Sequence, residues 1–174
     1  MKRDVKCVRM IAKLIMGVCI VAFSTFCGYL FSRKFRRRKD FIQQLKAFND
    51  RFLSEIAFRK RPIKAFIAAY TYTGDFDKLL SIYCNGLEKR CELVFGMDIK
   101  KEYSFLKEED CRVVNDYFLM LGKGDSFSQK GYFASSKDVL ENLCVEAENN
   151  CKKYVPLYVK LGFLCGLSLL ILLI

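Results

Sequence analysis

Apolar and polar positions alternate along this chain in two different ways. At both ends the apolar residues run without interruption. Residues 14–31 read LIMGVCIVAFSTFCGYLF, eighteen positions without a charge, and as a helix they cover about 27 Å, close to a hydrocarbon core. Residues 161–174 read LGFLCGLSLLILLI, fourteen more, which cover about 21 Å, or about 27 Å from residue 157 if Lys160 extends to the interface. Ten large side chains there favour insertion by roughly 3–6 kcal/mol. The chain is therefore expected to divide into an N-terminal tail (1–13), a first transmembrane helix (14–31), a cytosolic helical bundle (32–156) and a second transmembrane helix (157–174).

Between the two ends the apolar residues recur at helical spacing. Phe41, Leu45, Phe48, Phe52 and Ile56 are four, three, four and four apart, one face of a helix continuing from the first span. Pro62 after Arg59, Lys60 and Arg61 marks its end and opens a second helix to about Tyr70. Thr73, Gly74 and Asp75 form a turn before a third, with Leu79, Leu80, Tyr83 and Leu87 on its face. Glu108, Glu109 and Asp110 open another, carrying Val114, Tyr117, Phe118 and Leu121. Three acids in a first turn complement the helix dipole, which explains them better than a catalytic cluster does. Gly122 suits a helix stop, and Ser126 with Gln129 fits a capping box. The last helix keeps its spacing through Val139, Leu140, Leu143, Ala147, Cys151, Tyr154, Tyr158 and Leu161, with a kink expected at Pro156. The fold class is all-α.

Composition narrows the chemistry. The chain of 174 residues has no His, which removes His-based acid–base and nucleophilic catalysis and every His-containing zinc site. Nine Cys without a C-x-x-C pair read as structural thiols in a reducing compartment. No phosphate loop, dinucleotide fingerprint or metal motif occurs. The expectation is a non-enzyme with no catalytic residue, cofactor or metal.

Charge is segregated. Residues 33–64 carry twelve basic and three acidic side chains, and residues 65–156 twelve and fifteen. The cations beside the spans are Arg33, Lys34, Arg36, Arg37, Arg38, Lys39, Lys152, Lys153 and Lys160. They are candidate membrane-interface residues, better suited to anionic headgroups than to nucleic acid, since regular aromatic interleaving is missing. These nine outnumber the five basic residues of the N-terminal tail, which favours a cytosolic middle. A start at Met10 would sharpen that bias, and an intact mass that includes residues 1–9 would exclude it. Ser24 with Gly28, and Gly162 with Gly166, are small-xxx-small pairs suited to close helix packing within the hairpin or between subunits.

The order of these features resembles the stage III sporulation protein AB family. The resemblance is most specific from Leu106 onward: Leu121, Gly122, Asp125 and Gln129 at a helix junction, then Leu140, Leu143 and Ala147, Lys152, Lys153 and Tyr154, Leu161 and Gly162 with Gly166, and the aliphatic tail. Lys13, Leu14 and Gly17, and Leu53, Glu55 and Ile56, match more loosely. The resemblance implies a helical domain of about six helices, similar to the cytoplasmic domains of type II secretion and type IV pilus inner-membrane platform proteins. It also implies a membrane-anchored platform in the mother-cell (outer forespore) membrane, within the channel complex joining mother cell and forespore. A cytosolic sporulation ATPase and other channel subunits are the implied partners, with a homo-oligomer an open question. An acidic surface in residues 88–116, or Arg59, Lys60, Arg61 and Lys64, are the candidate contacts for the ATPase. The alternatives are a platform of a secretion or pilus system outside sporulation, or a lipid-interacting membrane scaffold.

Overall fold

The computed structural model describes residues 2–58, 61–88, 99–121 and 126–173. Among them are six helices and no strand: α1 Lys2–Phe58, α2 Ile63–Ala68, α3 Gly74–Glu88, α4 Ile99–Glu102, α5 Glu108–Met120 and α6 Ser126–Leu173. The all-helical expectation holds. The chain forms two compact units, Met1–Arg36 with Asn149–Ile174, and Arg37–Glu148.

Residues 37–148 form a bundle around an aromatic core. Phe41, Ile42, Leu45, Phe48 and Phe52 of α1 are buried at the expected spacing. Phe48 is at the centre, with ring centroids 5.3 Å from Phe66, 5.8 Å from Tyr72, 5.9 Å from Phe76 and 6.1 Å from Tyr117. Phe76, Leu79, Leu80 and Tyr83 of α3, Val114, Tyr117 and Phe118 of α5, and Phe133, Leu140 and Leu143 of α6 complete it. Two expected face residues lie outside this core: Leu87 is 40% and Val139 46% exposed. Each sits at the margin of its helix's apolar stripe.

Local signals set the helix ends. Pro62 (φ −57°) precedes α2 as its N-cap, and its carbonyl accepts from Phe66 N–H at 3.0 Å. That helix ends at Ala68, earlier than expected. Gly74 opens α3 with φ +66°, a left-handed conformation that glycine adopts without strain. The Gln44 amide closes the preceding loop, accepting from Thr73 N–H at 2.8 Å and donating to Thr73 C=O at 3.0 Å. Helix α4 has four residues and no apolar period that would announce it. Helix α6 continues through Pro156.

Residues 1–36 and 149–174 contain an antiparallel helix pair. Gly17 meets Leu170, Gly28 meets Tyr158 and Gly162, and Phe35 stacks on Tyr154 at 5.0 Å. α1 and α6 are the two described helices long and apolar enough to cross a membrane. Their most apolar windows have mean hydropathies of 1.9 and 2.0, with 17% and 6% of those windows buried. Phe23, Phe26, Phe31, Phe163 and Leu164 are all exposed. So much exposed apolar surface on two helices is what a membrane-associated segment presents.

Candidate functional site

Four small residues lie together in the helix pair. A Cβ on Gly28 would fall 2.4 Å from the Tyr158 carbonyl oxygen, and one on Gly162 would fall 2.7 Å from that of Ser24. A Cβ on Gly166 would lie 2.8 Å from the Cα of Val21. These are backbone atoms, so the two main chains approach as closely as glycine permits. Ser24 Oγ donates to Gly162 C=O at 2.7 Å across the pair. Ser24, Gly28, Gly162 and Gly166 thus meet within one chain.

The nine basic residues beside the apolar segments do not share one environment. Arg33, Lys34, Arg36, Lys152, Lys153 and Lys160 are exposed. Arg37 is exposed but committed: its guanidinium grips Asp75 with two hydrogen bonds of 2.8 and 2.9 Å and lies 4.4 Å from the Phe105 ring centroid. Lys39 pairs with Asp40 at 3.4 Å.

Arg38 corrects the sequence reading outright. It is 3% exposed, and cannot serve as an interface cation. Its Nε and Nη2 donate to Asp110 at 2.6 and 2.8 Å, and Nη1 and Nη2 reach Glu146 at 3.4 and 3.3 Å. The cause is its place on α1: Arg38 lies three, four and seven residues before Phe41, Ile42 and Leu45, on the same buried face. Asp110 is wholly buried and also accepts from Lys107 N–H at 2.9 Å, as the third residue of α5. Lys107 Nζ pairs with Glu146. The cluster joins α1, α5 and α6 within the bundle. Burial opposes the charge on Arg38, but Asp110 and Glu146 outweigh it and raise its pKa. The Lys107 hydrogen bond, against some burial and with help from Arg38, holds Glu146 down to about 2.

A second buried polar group sits deeper. Asn49 is 1% exposed, donates to Phe133 C=O at 3.1 Å and accepts from Tyr117 Oη at 3.1 Å. Sequence reading missed Asn49, Asp110 and Glu146. The available signal was a polar residue at an apolar register position, at 38 and at 49.

Gly122 and Asp125 of the junction motif lie outside the described residues; Gln129 is helical in α6. Of the expected ATPase contacts, Arg59 and Lys60 also lie outside. Arg61 Nε is 3.3 Å from Glu55, and Glu108 is held by Lys100 and Arg112, which lower its pKa.

The comparison that decides kinship is with family profiles: residues 13–174 match stage III sporulation protein AB. This chain belongs to that family. The match spans both apolar segments and the whole bundle. It gives the chain a role in the stage III sporulation system. The chain matches none of the curated proteins and none of the solved structures it was compared with.

Proposed function

We propose that this family member is a non-enzymatic platform subunit of the channel complex between mother cell and forespore. In this reading the helix pair anchors it in the mother-cell membrane and the bundle docks a sporulation ATPase from the cytoplasm. One observation supports it above others. α1 and α6 each carry an exposed apolar stretch and, in the same unbroken helix, a face of the aromatic bundle. A chain so built offers anchorage and a folded cytosolic surface.

Two experiments test this. Full-length protein in mild detergent should co-purify with the cytosolic sporulation ATPase, and failure to do so at micromolar concentrations would remove the docking role. Cys84 and Cys151, both half-buried, should resist a membrane-impermeant thiol reagent until the cells are opened. Labelling in intact cells would place the bundle outside and exclude a cytosolic partner.

A further inference from the structure

We infer that the charged end of the helix pair is a binding collar for anionic phospholipid headgroups. It is built from Arg33, Lys34 and Arg36 of α1 with Lys152 and Lys153 of α6, backed by Tyr29, Phe35, Tyr154 and Tyr158. The inference rests on the membrane reading of the pair but not on the ATPase.

The first argument is charge balance. Residues 5–36 and 149–174 contain no Asp or Glu. The five cations therefore have no carboxylate within their own unit along those stretches, and none forms an ion pair among the described residues. This is where they part from their neighbours. Arg37 is taken by Asp75 and Arg38 by Asp110, so the two cations that follow on α1 are neutralised in place. Five unneutralised charges on two adjacent helices repel one another and call for external anions.

The second argument is the aromatic backing. Phe35 stacks on Tyr154 at 5.0 Å and lies 5.7 Å from Tyr158. Lys34 lies 5.1 Å from the Phe35 ring, Arg36 5.2 Å from Tyr29 and Lys153 5.4 Å from Tyr154. Tyrosines among cations at the end of an apolar segment match the headgroup zone, where a ring sits in the acyl boundary and its hydroxyl in water. A nucleic-acid surface would instead leave rings open for base stacking, whereas Phe35 and Tyr154 are stacked on each other. The phosphate of an anionic lipid supplies the missing charge, and the basic side chains lie beside an apolar segment that acyl chains can cover.

The test uses full-length protein reconstituted into nanodiscs of phosphatidylcholine with or without phosphatidylglycerol. Incorporation is read first; a chain that stays out of both discs overturns the membrane reading itself. For the incorporated protein, native mass spectrometry should show retained phosphatidylglycerol in preference to phosphatidylcholine. The quadruple variant R33Q/R36Q/K152Q/K153Q should weaken that preference by up to about a thousandfold. The charge-preserving R33K/R36K should keep it. K78Q/K101Q/K130Q/K137Q, which removes the same number of exposed bundle cations, should leave it unchanged. Equal retention of both lipids by the unmodified protein, or a preference that survives the quadruple variant, overturns the inference. So does a quadruple variant that loses single-stranded RNA binding while retaining the lipid. An unchanged melting temperature in phosphatidylcholine discs shows that the quadruple variant is folded.

Discussion

Gly28 and Gly162 bring two helix backbones together with nothing between them, while Phe48 packs α1 against α2, the Tyr72 loop, α3 and α5 by filling the space with a ring. The helix pair and the bundle are thus assembled from opposite materials. In a bilayer, lipid would compete for every apolar side chain of the pair on equal terms, leaving association to close backbone approach and the one hydroxyl bond. In the bundle, water drives apolar surface inward, and large side chains are the cohesive element. The treatment of charge inverts as well. The bundle buries Arg38 against Asp110, whereas the pair leaves its cations unanswered. Residues of one chemical type thus have opposite value in the two regions.

The strongest way to break the bundle is at its centre. Phe48→Ala should cost about 3–5 kcal/mol in denaturant unfolding, whereas the exposed Phe23→Ala should change the stability of detergent-solubilised protein by less than about 0.5 kcal/mol. Next comes the buried pair. Asp110→Ala leaves the buried Arg38 guanidinium only its longer contacts to Glu146 and should cost about 3 kcal/mol, while the double variant R38M/D110L should recover most of that loss. If the double variant is as unstable as the single, the ion pair is not the reason Asp110 matters.

Glycine sharpens the contrast at a smaller scale. Gly28→Ala must push the Tyr158 carbonyl aside and should lower the stability of the pair by about 1–3 kcal/mol. Gly131→Ala, within α6 of the bundle and with no heavy atom within 4 Å of its new methyl, should raise stability by about 0.5–1 kcal/mol. Thermal melts of both variants in one detergent would expose a shared sign as a failure of the comparison.

The smallest effect is in acid. Glu146 is held below its ordinary 4.5, at about 2, so its contribution is complete above pH 4.5 and disappears as pH falls towards 2. Its side chain is 39% exposed, which limits that contribution to about 1 kcal/mol or less. Glu146→Gln should flatten the stability profile over that window and leave it parallel to the original above it.

The apolar segments and the buried face of α1 were legible because both are patterns within one helix. Residues 14–31 announce themselves by the absence of charge, and Phe41, Leu45, Phe48 and Phe52 by their spacing. What stayed hidden depends on distant partners. Arg38 stands in a run of six basic residues, so a juxtamembrane cluster was the natural reading, and Asp110, its partner, is 72 positions away. The three acids that open α5 fitted the helix dipole equally well, though Asp110 does far more than its neighbours. The small residues 24, 28, 162 and 166 could be named as a set, but only the fold decided that they meet one another. α4 and the loop closed by Gln44 have no periodicity to reveal them.

Asn49 carries a consequence for how the bundle can move. Its amide is satisfied on both sides, by a carbonyl of α6 and a hydroxyl of α5, within the buried bundle. Sliding α1 by one turn, about 5.4 Å, would leave the Asn49 amide and the Tyr117 hydroxyl without these partners, while the Phe133 carbonyl keeps its bond within α6. A single polar group of this kind fixes register. The bundle therefore has no low-cost ratchet along α1. Under a pull on that helix it behaves as a stiff link, yielding by local unfolding rather than by slippage.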